Sequence, residues 1–193
     1  MVIERLNTRQ VLPMSDKVYV VDFEGFKAEL PILPLPSGIN IAFFNLHGDN
    51  VLTEHCAKLL AKHLEDCEVV LTAESKGLQL AHCVSRELGQ RYYAVARKSK
   101  KLYVQDGIEV SIDASITTGK EQKLYLSKHD VELLKGKKVA IVDDVVSTGA
   151  SLLGLEALVE KAGGILHKKA FVLAEGDAAK RDDIIYLGVI PLL

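Results

Sequence analysis

The chain has 193 residues, 48% of them hydrophobic and 26% charged, which is enough apolar surface for one domain with a sizeable core. That composition excludes disorder and fibrous repeats. A formal net charge of −2 argues against a nucleic-acid binder, whose electrostatic footprint is normally basic.

In chain order, the first ~45 residues read as an appendage, because LPILPLPSG (Leu30 to Gly38) is proline-rich and carries no helical period. NVLTEHCAKLLAKHLED (Asn50 to Asp66) places Leu52, Cys56, Leu59, Leu60 and Leu64 at helical spacing. EVVLTA from Glu68 reads as a buried strand, GLQLAHCVSRELG (Gly77 to Gly89) as a helix, and RYYAVA from Arg91 as another strand. Lys98 to Ser127 has no helix signal. Alternation in Ile108 to Ile112 and in Lys123 to Ser127 predicts a long antiparallel hairpin there. SKHDVELLKG follows as a short helix capped by Ser127. KVAIVDD from Lys138 is a strand, SLLGLEALVEKAGG (Ser151 to Gly164) a helix, and HKKAFVLAEG from His167 and IIYLGVIPLL from Ile184 are strands. The alternation predicts an α/β fold, with a central, mainly parallel sheet flanked by helices.

No apolar run approaches the roughly 20 residues that span a bilayer, so no membrane association is expected. MVIERLNTRQVLPMSDK lacks the apolar stretch of a secretory leader. Cys56, Cys67 and Cys83 have no paired metal spacing and read as reduced thiols in a cytoplasmic protein. The six scattered histidines offer no metal ligand set, so no protein-held metal is expected.

The run that carries chemistry is VAIVDDVVSTGAS, Val139 to Ser151. A buried strand runs into Asp143 and Asp144, then Ser147-Thr148-Gly149, then a helix. The N–H groups and dipole of a helix N-terminus favour a phosphate. Ser147, Thr148 and Ser151 add hydroxyls, and Gly149 lets the backbone approach closely. Two carboxylates beside an anion cradle make sense if the ligand also brings hydroxyl donors or a cation, as a sugar phosphate with magnesium does.

This segment resembles the phosphoribosyl pyrophosphate motif of the type I phosphoribosyltransferases: four apolar residues, two acids, two apolar residues, a small residue, then Thr-Gly. Every position matches. The resemblance implies that Asp143 and Asp144 hold the ribose hydroxyls. It also implies that Val145, Val146, Ser147, Thr148, Gly149, Ala150 and Ser151 line the ribose 5-phosphate. LTAESKGLQLA looks like the family's pyrophosphate loop, with Glu74, Ser75, Lys76 and Gly77 meeting the diphosphate. ARKSKK is similar to its basic stretch, where Arg97, Lys98, Lys100 and Lys101 would neutralise diphosphate charge. Within the family the layout looks most like the purine branch, above all adenine phosphoribosyltransferases. Hypoxanthine–guanine enzymes usually carry Asp where Ser147 stands here.

One feature departs from the adenine pattern. Its loop usually carries Glu-Tyr-Gly, whereas here Thr117-Thr118-Gly119 is followed by Lys120 and Glu121, which makes Glu121 the candidate loop carboxylate. The family's variable N-terminal segment forms a hood over the base. Here that assigns residues 1–48 to the hood and 49–193 to the core, with Phe43, Phe44 and Asn45 as base contacts. The resemblance further implies Mg²⁺ as cofactor, phosphoribosyl pyrophosphate and a purine as substrates, and a flexible hairpin that closes over the site. It also implies a homodimer, and an exposed hairpin edge bearing Val104, Ile108, Val110 and Ile112 would need such a partner to cover it. The alternatives are a xanthine phosphoribosyltransferase and a regulator that senses phosphoribosyl pyrophosphate without turnover. The lack of a helix-turn-helix pattern in the first ~45 residues disfavours a DNA-binding repressor of the second kind and leaves a silent sensor open.

Overall fold

The computed structural model describes residues 17–35, 38–100, 106–112 and 122–193. From residue 17 onward the N-terminal segment is not irregular: it forms β1 (Val18–Phe23), β2 (Phe26–Pro34) and β3 (Asn40–Ala42), an antiparallel sheet in that order. β1 and β2 join through a two-residue turn, Glu24-Gly25, with both φ angles positive (52° and 98°). That turn suits the twist of a tight hairpin. The Gly25 N–H closes it by donating to Asp22 Oδ1 at 2.6 Å.

The rest follows the expected alternation. α1 (Asn50–Ala61) is capped by Asp49, whose side chain accepts from the Leu52 N–H. The helix stops five residues short of Asp66, yet Leu64 is fully buried, because the Leu64 N–H bonds Ala61 O and tightens the exit turn. β4 (Val69–Ala73), α2 (Leu78–Glu87), β5 (Ala94–Ala96), β6 (Ile108–Ile112) and β7 (Gln122–Leu126) come next. They are followed by α3 (Lys128–Leu134), β8 (Lys138–Val146), α4 (Ala150–Lys161), β9 (Ile165–Glu175) and β10 (Ile185–Ile190). Ser127 caps α3 as expected: its hydroxyl accepts from the Asp130 N–H, and Asp130 reaches back to the Ser127 N–H. A reciprocal cap of this kind is worth about 1 kcal/mol.

The central sheet has the order β10-β9-β8-β4-β5, and every pair is parallel. β8 runs through its middle with Val139, Ala140, Ile141 and Val142 fully buried, because both faces are covered. One layer packs α1, α2 and the N-terminal sheet against one face; Phe23, Leu30, Ala42 and Phe44 share that core with Cys56, Leu60 and Val84. The appendage therefore has no separate core. α4 and the β6–β7 hairpin cover the other face, where Ile112 and Leu124 join Leu155, Leu158 and Ile141.

The hairpin differs from expectation in its cover. Ile112 is buried, Ile108 and Val110 are half-buried against the chain's own core, and Val104 lies outside the described residues. Ile112 fits a notch at Gly154 of α4, where a Cβ would lie 2.7 Å from its Cδ1. A partner subunit is not needed to cover this edge.

Candidate active site

From β4 the chain proceeds to β5 on one side of the sheet and later to β8 on the other. A topological switch point therefore lies between β4 and β8, and ligands of open α/β sheets bind in that crevice, beyond the strands' carboxyl ends. The loops after β4 and β5 bring Lys76 and Lys98 there, to the two aspartates near the end of β8.

Asp144 is 5% exposed, and its Oδ2 is buried with no hydrogen-bond partner among the described residues. Its counter-ion is Lys76, whose Nζ lies 3.9 Å from that oxygen. The same ammonium stands 5.2 Å from the centre of the Phe43 ring. Lys76 thus links the acid pair to the hood. Asp143 Oδ1 accepts from the Asp144 N–H at 2.9 Å. Burial, and after it the charge of Asp144, push the Asp143 carboxyl up to about 7; nearby Lys98 works weakly in the other direction. An unsatisfied carboxylate beside a partly protonated one is costly in the free protein and suits a ligand that supplies hydroxyl donors or a cation.

Gly149 caps α4 in the left-handed region at φ 83° and provides no side-chain cap, so the first N–H groups of the helix stay unspent. Ser147, Thr148 and Ser151 are exposed, and their hydroxyls bond no described residue. Val145, Val146 and Ala150 complete the wall of a cleft of about 170 Å³ that also reaches Asp143. These donors can surround a phosphate oxygen by oxygen. A larger groove of about 540 Å³, lined by Gln79, His82, Arg86 and Tyr93, lies between α1 and α2. It holds neither the acid pair nor the anion cradle, so chemistry rather than volume selects the site.

The remaining candidates divide. Ser75 and Lys76 are exposed at the rim, after a cis peptide between Glu74 and Ser75. Glu74 accepts from the Lys98 N–H at 2.6 Å and pairs with Arg97 at 3.3 Å. Both Glu74 oxygens are thus engaged by the basic stretch, and an acceptor-only carboxylate has no donor to give a diphosphate. Gly77 acts through its missing side chain: a Cβ there would lie 2.5 Å from Asp143 Oδ1 and closer still to Thr72 Oγ1. Phe44, 3% exposed and 6.3 Å from the Phe23 ring, is core and not a base contact. Phe43 is half-buried, and Asn45 is exposed with its Oδ1 accepting from the His47 N–H. Lys98 and Lys100 are exposed; Glu121 and Lys101 lie outside the described residues.

Known proteins share this fold and sequence pattern. A family model described as a phosphoribosyl transferase domain matches residues 47–190. An adenine phosphoribosyltransferase of Methanococcus maripaludis is 33% identical over 180 residues, covering 90% of this chain and 92% of the relative. A xanthine phosphoribosyltransferase of Exiguobacterium sp. is 31% identical over 149 residues, 76% of each chain. The crystal structure of adenine phosphoribosyltransferase from Thermoanaerobacter pseudethanolicus superposes with a TM-score of 0.69 at 24% identity, covering 83% of this chain and 95% of that one. The Giardia lamblia enzyme complexed with 9-deazaadenine superposes at 0.61 and 18% identity, covering 89% and 93%. At those identities the structural likeness carries the fold alone. With the family model spanning three of the site's loops and a relative above 30% identity over most of the chain, this chain belongs to the phosphoribosyl transferase domain family and has its type I fold.

Proposed function

We propose that this chain is a purine phosphoribosyltransferase that joins adenine to phosphoribosyl pyrophosphate, giving adenosine monophosphate and pyrophosphate. The observation that carries the reading is the buried, unsatisfied Asp144 oxygen beside Asp143, at the mouth of an uncapped phosphate loop. A ribose phosphate supplies what each part lacks: hydroxyl donors for the acids and an anion for the loop. The base nitrogen bonds to the anomeric carbon as its bond to diphosphate breaks, and the diphosphate leaves with the electron pair. The anomeric carbon gains positive character in between, so orientation and electrostatics carry most of the rate. Asp143 and Asp144 orient the ribose. Lys76, Lys98, Lys100 and Lys101 offset diphosphate charge, and Phe43 offers a stacking face to the base with Asn45 at its edge. Residues 1–48 act as the hood of the 49–193 core.

Magnesium fits as an ion carried by the substrate. Mg²⁺ is usually held by one or two carboxylates plus substrate phosphates. Among the described residues no cluster of three acid, histidine or cysteine groups could cage it, whereas the Asp143–Asp144 pair offers an oxygen without a hydrogen-bond partner. When bound, the ion supplies charge neutralisation of the leaving diphosphate.

Adenine is favoured over xanthine by the longer and closer match to the adenine-named relative, and over hypoxanthine and guanine by Ser147 in place of an acid. Assayed with phosphoribosyl pyrophosphate and Mg²⁺ against adenine, hypoxanthine, guanine and xanthine, the protein is expected to form nucleotide fastest with adenine. Preference for xanthine would transfer the assignment, and no turnover with any purine would remove it.

A homodimer and a cytoplasmic location belong to the same proposal. The dimer rests on the family resemblance, since the hairpin is covered by its own α4. Light scattering is expected to give twice the 21.1 kDa chain mass; a single-chain mass across concentrations would reject it. Among the described residues no helix is long and apolar enough to cross a membrane. Burial pushes the Cys56 thiol up to about 12 and the Cys67 thiol up to about 11, which suits inert, reduced cysteines.

A further inference from the structure

One cation at the phosphate loop has no part in the reading so far. Arg181 follows a 3₁₀ turn, Gly176–Lys180, that leaves β9. Its Nε and Nη2 donate to the two oxygens of Asp183 at 2.8 and 2.7 Å. Asp183 also accepts from Lys169 of β9, and Lys169 in turn donates to Glu156 of α4 at 3.0 Å. The Arg181 and Lys169 bonds hold the Asp183 carboxyl far below its usual range, so this anchor stays charged. A bidentate carboxylate fixes the plane of the guanidinium and leaves one nitrogen pointing away.

That nitrogen, Nη1, bonds no described residue and lies 3.1 Å from where a Cβ on Gly149 would stand. A Cβ at Gly149 would make the guanidinium give by only a few tenths of an ångström, so the contact records how near Arg181 stands to the phosphate loop. Arg181 is 31% exposed, so it is open to a ligand but confined in direction. The loop's N–H groups and hydroxyls carry no net charge, and a helix N-terminus offers only about half an elementary charge. A phosphate monoester brings about −1.5 to −2 at neutral pH, and the aspartates of the same crevice repel it. A full positive charge beside Gly149 offsets that repulsion.

We propose that Arg181, held by the Glu156–Lys169–Asp183 network, is a ligand of the 5-phosphate and makes the site selective for phosphorylated over unphosphorylated ribosides. This rests on the reading of Ser147 to Ser151 as the ribose-phosphate cradle. The test is calorimetric titration of adenosine monophosphate, adenosine and ribose 5-phosphate into the wild-type protein and into Arg181→Gln and Arg181→Lys. Arg181→Gln is expected to weaken both phosphorylated ligands about 10- to 100-fold, the range for one charge-assisted bond, with adenosine unchanged. Arg181→Lys keeps the charge without the fork, so it recovers part of the loss and serves as the test if the glutamine variant does not fold. Equal losses for the monophosphate and adenosine would overturn the proposal, because they would mark Arg181 as a support of the loop. Unchanged affinity for the phosphorylated ligands would overturn it too. Wild-type protein that binds neither phosphorylated ligand would reject the cradle reading itself, and Arg181's role with it.

Discussion

Replacing Asp143 and Asp144 together with asparagine is expected to weaken phosphoribosyl pyrophosphate binding at least about 100-fold, the loss expected for two charge-assisted bonds, while the protein becomes no less stable. The two effects share a cause. Burial, then the charge of Asp144, raise the Asp143 pKa from 3.8 to about 7. A carboxyl whose folded-state pKa lies above its unfolded value holds its proton more tightly when folded. The stability it contributes is therefore full below about pH 4 and is lost as the pH rises through about 7. Asparagine has no proton to lose, and it removes the like-charge pair. In thermal melts the double variant should match or exceed the wild type near about pH 8, with the gap closing toward about pH 5. Each kcal/mol relieved is worth about 2–4 °C in a chain of this size. A lower Tm near pH 8, or unchanged affinity in calorimetry, would show that the acids serve the fold rather than the ribose.

Gly77→Ala is expected to cost activity from the other side of the same acid. The added methyl would stand 2.5 Å from Asp143 Oδ1 and closer still to Thr72 Oγ1. Neither neighbour is the tip of a long, flexible side chain. Thr72 is fully buried on β4, so the acid is the group that must swing. Overpacking of this kind costs about 1–3 kcal/mol, and moving a positioning group by about 1 Å costs about 100-fold in rate. We therefore expect kcat/KM to fall by about two orders of magnitude with a modest drop in Tm. Wild-type turnover in this variant would mean that the close packing of the two loops has no bearing on the acid's position.

Local chemistry made much of this protein legible before its fold was known. The continuous apolar run of β8, the acid pair after it and the uncapped start of α4 lie within 13 consecutive residues, Val139 to Ser151, so no distant contact was needed to read them. The Ser127–Asp130 cap is equally local, because its partners are one helical turn apart. The N-terminal strands were also written locally, as an apolar–polar alternation around Glu24-Gly25, but the prolines that follow masked them.

Tertiary structure decided the rest. Phe43 and Phe44 are neighbours in sequence, yet successive residues of an extended chain face opposite sides. Only the seating of the N-terminal sheet on α1 makes Phe44 core and turns Phe43 toward Lys76. Glu74 resembled a ligand until β5 brought Arg97 and Lys98 against it. Hydrophobic edge residues at Ile108, Val110 and Ile112 suggested a missing partner, whereas all three pack on the chain's own core and Gly154 opens a notch for Ile112 on α4, more than 40 positions away in the chain. Arg181 carries no local mark at all; its meaning comes from a guanidinium placed beside Gly149 by the return of the chain after β9. The residue types that make a phosphate site are written along the sequence, but which charge stands next to which is set by strand order, because parallel strands bring together loops that lie far apart in the chain.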